Sequence, residues 1–444
     1  MNRHTTFLEK IFIWSLITEP FKYFILSSPA LIGISLTLSK SLQLVFLIGY
    51  LFNFIFRGKG IPKINPFDRN YAYLTLFIIV SLIAGIYGFL SGQYHINTFN
   101  VSTTSINKRA FFEIFIILYY YLYFLILPIY IIRSKVQLSY FFLWTNKLIY
   151  FVVALGLIEF ICYQFLSTNL IPRHLTDSNW VDVGNRFHSI LGEPRHAFVY
   201  LVFSIAFLYL RQAVTNKKLS YIYLSILILC CILTKAFSGV AGIIFGIILL
   251  AIYTKISFKN LIAFFLISIV SFVAIVISVK YSVRIDNYYQ MLLTLPDEIS
   301  KVPLPYFLHA QAPELIPLWL FANRIIDVDL IYVLIGSGIA SSSYAINNFL
   351  STFMVGNNPN AQLVRLVYDA GVIGTYLYLM VLINPIRRFL RLINFRNYQV
   401  VWISSILLIG ASFGVRSNLP FIYSGILLAI ITNNLINSEL NKDD

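Results

Sequence analysis

Long uninterrupted apolar runs constrain this sequence more than any other feature. Several reach the length of about 20 residues that a helix needs to cross the hydrocarbon core of a bilayer. Their apolar residues follow one another without alternation, and the mean hydropathy of the chain is +0.79. Only 11% of the residues are charged, against about a quarter in soluble proteins. Because a helix satisfies its own backbone groups in lipid, we predict an all-α, polytopic transmembrane bundle.

The runs predict about twelve membrane spans, each near the length of about 20 residues. We place them near 21–38, 41–56, 71–90, 110–132, 147–166, 197–213, 220–234, 238–253, 261–279, 363–384, 399–415 and 419–436. The long region between the ninth and tenth spans is rich in proline and aromatic residues, and we predict a large, partly helical outer loop there. Three parts follow: spans one to nine in 1–279, the loop in 280–362, and the last three spans with a short cytoplasmic tail in 363–444.

The chain carries a net charge of +15, and the positions of its basic residues explain this excess. Lysine and arginine cluster in alternate short loops, such as 57–70 and the segment after the tenth span. The positive-inside rule places these loops and both termini in the cytoplasm. We therefore expect no nucleic-acid partner. Cys162, Cys230 and Cys231 all lie in apolar runs without metal-ligand spacing, so we expect no metal site.

The segment RFHSILGEPRHAF, Arg186 to Phe198, is the densest group of ionisable residues between two apolar runs. Ionisable groups are costly near hydrocarbon, so such a cluster indicates function. Glu193 before Pro194 has two interpretations that remain open, a helix start favoured by the helix dipole or a catalytic acid/base. Arg195 follows at the mouth of the sixth span, and it is our first choice for an anion-binding residue.

Further basic residues lie at the predicted outer ends of spans. We expect Arg195, Arg365 and Arg416 to converge there on an anionic group, because arginine binds phosphate bidentately and keeps its charge. Arg365 and Asp369 are also spaced to pair along one helix face, and both roles remain open. His309 is interpreted as either a surface histidine or a catalytic base. The wider set of candidate binding residues is Arg186, Arg284, Arg324, Asn360 and His196.

Three segments resemble one family: RFHSILGEPRHAF, LTKAFSGVAGIIFGIILL at 233–250, and GNNPNAQLVRLVYDAGVIGTYLYL at 356–379. They are similar to segments of the Wzy-type O-antigen polymerases and the related O-antigen ligases. The predicted topology, with one large loop late in the chain, extends the resemblance over nearly the whole sequence. Pro359 precedes Asn360 where the ligases have histidine, so the resemblance favours a polymerase over a ligase.

The resemblance implies a glycosyltransferase of the bacterial cytoplasmic (inner) membrane. It would join oligosaccharide repeat units carried on undecaprenyl pyrophosphate at the periplasmic face, without nucleotide sugar, metal or cofactor. Glu193 and His309 are then the candidates for the catalytic base, and the arginines stabilise the leaving pyrophosphate. Membrane lipids, a chain-length regulator and a flippase are the implied partners. The alternatives are an O-antigen ligase acting on lipid A core and, from a different class, a flippase for lipid-linked oligosaccharides.

Overall fold

Helices make up most of the described part of the chain. The computed structural model describes residues 5–21, 25–27, 36–57, 71–93, 113, 115–167, 170, 186–236, 239, 242–244, 246, 248, 316–350, 362–393 and 395–436. The helices are α1 (Phe7–Ile17), α2 (Leu38–Arg57), α3 (Ala72–Leu90), α4 (Phe115–Ile131), α5 (Lys135–Leu166), α6 (Pro194–Thr215), α7 (Tyr221–Leu233), α8 (Ile316–Ile326), α9 (Leu330–Ile335), α10 (Ser341–Leu350), α11 (Gln362–Leu390), α12 (Phe395–Gly414) and α13 (Leu419–Thr432). Two short strands, β1 (Ile25–Ser27) and β2 (Leu36–Thr37), pair antiparallel.

The helical class predicted from the sequence is confirmed. Within the described ranges, 5 helices are long and apolar enough to cross a membrane. They are α3, α5, α6, α11 and most of α12, while α4, α7, α8 and α13 are shorter apolar helices. The predicted ninth span, 261–279, lies outside the described residues, and the total of about twelve spans stays a prediction.

The first predicted span, 21–38, is wrong. The chain forms α1 before it, and the region then contributes β1 and β2. Thr6 and Glu9 form a capping box that starts α1 early, with the Thr6 N–H donating to Glu9 Oε2 at 2.8 Å. Ser39, between the first two predicted spans, lies in the first turn of α2.

Two other predicted spans were shorter than the helices that the structure shows. The fifth span was placed at 147–166, but α5 begins at Lys135 because Ser134 and Gln137 form a second capping box. The tenth span was ended near Pro385, but α11 continues through that proline to Leu390. Proline is tolerated inside membrane helices because neighbouring helices and local adjustments satisfy the freed backbone groups.

The chain divides into two compact units. The first comprises Met1–Asn65, Tyr120–Ile252 and Leu382–Asp444. The central helix of this unit is α6, which packs along α12. The most apolar stretch of α6 is 78% buried, whereas that of α5 is only 28% buried. The chain at Gly242 packs closely against α12, because a Cβ on Gly242 would collide with the backbone carbonyl of Gly410.

The second unit comprises Pro66–Tyr119 and Tyr253–Val381. Its described helices are α3, α8, α9, α10 and the first part of α11. The Phe77 ring in α3 meets the Tyr378 ring in α11 with centroids 5.7 Å apart, and Tyr87 in α3 meets Tyr332 in α9 at 5.1 Å. Ile316 and Ile346 form a small core between α8 and α10. The three helices α8 to α10 lie in the region predicted as a partly helical loop.

Candidate functional site

Gly371 interrupts α11 in the second unit. Its backbone has φ 63° and ψ −168°, a conformation that glycine adopts without a steric penalty. Gly336, just after α9, has φ 85° and lies against this break. A Cβ on Gly371 would lie 2.5 Å from the Gly336 nitrogen and 2.5 Å from the Leu334 oxygen. The two glycines therefore let the end of α9 cross α11 with backbone against backbone.

The break in α11 exposes two carbonyl groups that the chain after α9 uses. The Ser337 N–H donates to the Tyr368 carbonyl and the Gly338 N–H donates to the Asp369 carbonyl, both at 2.9 Å. Because a buried carbonyl without a donor is costly, these two bonds compensate for the interrupted helix. They also fix the side chains of Tyr368 and Asp369 relative to the segment that leads into α10.

The Asp369 carboxylate caps the start of α10 from another helix. Its Oδ2 accepts from the Ala340 N–H at 2.9 Å, and its Oδ1 accepts from the Ser342 N–H at 2.8 Å and the Ser341 hydroxyl at 3.1 Å. Carboxylates near helix N-termini satisfy free N–H groups and are favoured by the helix dipole. Asp369 thus holds α10 against α11.

Arg365 lies one turn before Asp369 and is buried between two carboxylates. Its Nη2 is 2.9 Å from Glu113 Oε2, and its Nε is 3.3 Å from Asp369 Oδ2. The predicted pair along one helix face is therefore confirmed. Glu113, which the sequence interpretation did not single out, supplies the second and shorter contact. With two acidic partners, Arg365 is part of the structural framework of this unit.

Arg324, in the last turn of α8, has a different environment. Its guanidinium donates to the Ser337 hydroxyl, to Gln93 Oε1 at 2.9 Å and to the Tyr368 hydroxyl at 3.2 Å. It also lies 4.2 Å from the centroid of the Tyr332 ring and 4.9 Å from that of Tyr368. In the described part of the chain, no carboxylate forms an ion pair with it. Arg324 is thus a well-held cation with neutral partners.

In the first unit, Glu193 and Pro194 begin α6. Glu193 is the N-cap and Pro194 occupies the first helical position, which confirms the predicted helix start. The Glu193 side chain does not cap the helix; its Oε2 accepts from Arg195 Nε and lies 4.0 Å from His196 Nε2. The three side chains are only 18–24% exposed, so the cluster is partly enclosed.

Arg186 holds the end of α7. Its Nε donates to the Thr234 carbonyl at 3.0 Å and its Nη2 to the Lys235 carbonyl at 2.9 Å. A cation at a helix C-terminus satisfies free carbonyls and complements the helix dipole. Burial and then the nearby Arg186 charge lower the pKa of the Lys235 ammonium. Arg186 was predicted to bind substrate, and its observed contacts are with the chain itself.

Replacing Arg186 with glutamine is expected to lower the free energy of unfolding by about 1–2 kcal/mol, as hydrogen bonds from a half-buried charged group contribute about that much. The pKa of Lys235 should rise toward its ordinary value, because a like charge is removed. Thermal unfolding in detergent checks the first effect. The control is Lys218→Gln in the exposed connection before α7. If both variants unfold together with wild type, the assigned role of Arg186 is wrong.

His188 and Glu159 form a buried pair that the sequence interpretation did not identify. His188 Nδ1 donates to the Ser189 carbonyl at 3.0 Å and lies 3.6 Å from Glu159 Oε2. Ser189 also donates its hydroxyl to the Val152 carbonyl of α5 at 2.9 Å. A single acid within an apolar run, as at Glu159 and at Glu113, is the signal that points to such residues.

The predicted site residues are therefore distributed over both units. Glu193, Arg195, His196, Arg186 and the half-buried Arg416 belong to the first, and Arg324 and Arg365 belong to the second. Their convergence on one anion stays a prediction. His309, Arg284 and Asn360 lie outside the described residues. Within the described ranges, no group of three histidine, cysteine or acidic side chains could hold a metal ion.

Comparisons of the chain with protein-family models, with curated proteins and with solved structures find no match. Assignment of a function therefore depends on two kinds of observation. One is the sequence resemblance of the three segments given above. The other is the set of contacts made by the arginine and carboxylate side chains at the ends of the apolar helices.

Proposed function

We propose that the protein is a polymerase of lipid-linked oligosaccharides, acting at the periplasmic face of the bacterial inner membrane. In this proposal the chain has about twelve spans, both termini in the cytoplasm, and 280–362 as a periplasmic loop. The observation that carries it is Arg324, a cation oriented by neutral partners. Such a guanidinium is available for the phosphate oxygens of a leaving undecaprenyl pyrophosphate.

The proposed reaction joins two lipid-linked repeat units in one substitution. A hydroxyl oxygen of the acceptor sugar forms a bond to the anomeric carbon of the donor sugar. The bond between that carbon and the pyrophosphate oxygen breaks, and its electron pair leaves with undecaprenyl pyrophosphate. The hydroxyl proton passes to a base, for which the Glu193 carboxylate is the described candidate and His309 the other. The chain grows at its reducing end.

Each unit, taken by itself, contains side chains whose chemistry suits one part of this reaction. Arg195 and His196 hold the Glu193 carboxylate at the start of α6, where a partly exposed carboxylate can accept a proton. Arg324 supplies fixed positive charge for the charge that develops on the leaving group. Arg186 and Arg365 maintain the framework through their contacts with the chain. The apolar faces of the helices accommodate the polyprenyl tails.

The purified protein, incubated with undecaprenyl-pyrophosphate-linked repeat units and without nucleotide sugar, tests the proposal. A ladder of glycan lengths on a gel is the expected result. Parallel incubations contain lipid A core as an acceptor or place the lipid on one side of sealed vesicles. Glycan on lipid A core without a ladder would show a ligase, and transfer of unextended lipid across the vesicle would show a flippase. Either outcome overturns the proposal.

A further inference from the structure

A buried carboxylate links the segment after α1 to the connection between α12 and α13. Glu19 Oε1 accepts from Asn418 Nδ2 at 2.8 Å. Its Oε2 accepts from the Ser39 hydroxyl at 2.7 Å and from Gln43 Nε2 at 3.0 Å. Glu19, Ser39, Gln43 and Asn418 are all less than 9% exposed. Within the described part of the chain, Glu19 forms no ion pair, and its three donors are neutral.

The hydrogen bonds of Ser39 extend this network toward α4. The Ser39 hydroxyl also lies 2.9 Å from the Ser15 carbonyl, and the Ser15 hydroxyl is 2.6 Å from that of Tyr123. The segment after α1, the start of α2 and the connection between α12 and α13 therefore meet at one carboxylate. Burying a carboxylate is costly unless it receives hydrogen bonds, and here three donors offset that cost.

Asn418 uses its side chain in an unusual way for its position. It is the N-cap of α13, where asparagine commonly accepts a hydrogen bond from its own helix. Here the side chain makes no such cap, and its amide donates to Glu19 instead. The Asn418 side chain therefore does not stabilise the start of α13, and it fixes the connection between α12 and α13 instead. Arg416 lies in that connection, two residues before Asn418.

We propose that Glu19 is a positioning residue: through Asn418 it fixes the connection between α12 and α13, and so directs Arg416 toward the lipid pyrophosphate. The inference rests on the proposed function and adds a role for the segment after α1. Glu19 does not touch the substrate. Because Arg416 would contact the pyrophosphate equally in substrate and transition state, losing its position should raise KM and leave kcat nearly unchanged.

Two single substitutions, and the double variant that swaps the two groups, test this contact. Glu19→Gln removes the negative acceptor, and Asn418→Asp places a second carboxylate opposite the first. Each should raise the KM for the lipid-linked repeat unit about tenfold, as expected when a hydrogen bond to a charged group is lost. The double variant E19Q/N418D exchanges donor and acceptor, and it should return KM close to the wild-type value. A role limited to folding would not produce this recovery in KM.

Asn433→Ser provides the matched control at the other end of α13. The Asn433 amide donates to the carbonyls of Ile129 and Ile132 at 2.8 and 2.9 Å. Its loss should lower the unfolding temperature without changing KM. If Arg416→Ala raises KM but Glu19→Gln does not, the positioning role of Glu19 is wrong while the proposed function stands. If the wild-type protein forms no polymer, the proposed function itself fails and the inference fails with it.

Discussion

Replacing Arg365 with alanine is expected to lower the free energy of unfolding by about 3–5 kcal/mol, the cost of leaving a buried charge without its partner. Glu113 and Asp369 lie 2.9 and 3.3 Å from this guanidinium, and both side chains are less than 10% exposed. Without Arg365, two carboxylates remain in the same enclosed region. Thermal unfolding of the purified protein in detergent measures the loss.

Two further variants separate charge from shape at this position. Arg365→Lys keeps the positive charge but not the fork that reaches both carboxylates, so it should fall between wild type and Arg365→Ala. Glu113→Gln, added to Arg365→Ala, removes one stranded charge and should recover part of the stability. If Arg365→Ala unfolds like wild type yet loses activity, the residue contacts substrate, and the structural assignment is contradicted.

The second large effect is expected at Arg324. Its replacement with alanine should lower kcat/KM for polymerisation by about 100-fold to 1,000-fold, the range seen when one fixed donor for developing charge is removed. Its partners Ser337, Gln93 and Tyr368 are neutral, so the substitution leaves no buried carboxylate behind. We therefore expect the free energy of unfolding to change much less than in Arg365→Ala.

Arg324→Lys tests whether the geometry of the guanidinium matters as well as its charge. A lysine keeps the charge but cannot reach several acceptors in one plane or stack on Tyr332 in the same way, so partial activity is expected. Tyr332→Leu removes the ring beneath the guanidinium and should lower activity less than Arg324→Ala. Polymer yield per minute at saturating and limiting substrate distinguishes the variants. Full activity in Arg324→Ala would remove this residue from the mechanism.

Local features of the fold could be predicted from the sequence. Apolar runs indicated most of the helices, and Glu193 and Pro194 indicated the start of α6. The residues of two capping boxes also mark helix starts in the sequence, but hydrophobicity alone does not detect them. The predicted first span was therefore displaced, and the predicted fifth span began too late. At α5 and α11, hydrophobicity alone set span bounds that were shorter than the helices.

Pairings between distant residues could not be predicted in the same way. Arg365 and Asp369 are four positions apart, and their ion pair follows from helix periodicity. Glu113 lies 252 positions before Arg365, by 365 − 113, and only the fold brings the two together. The contact between Glu19 and Asn418 spans 399 positions. The sequence predicted a binding role for both Arg365 and Arg324, whereas the contacts made by the fold distinguish the two residues.

The most direct test of the central claim is the stoichiometry of the reaction. Purified protein receives repeat units with labelled undecaprenyl pyrophosphate, with and without a metal chelator. We predict one undecaprenyl pyrophosphate released for each glycosidic bond formed, at the same rate with chelator, and a parallel fall in both products in Arg324→Ala. Glycosidic bonds that form only when a nucleotide sugar is added, or release of the lipid without bond formation, would contradict the account.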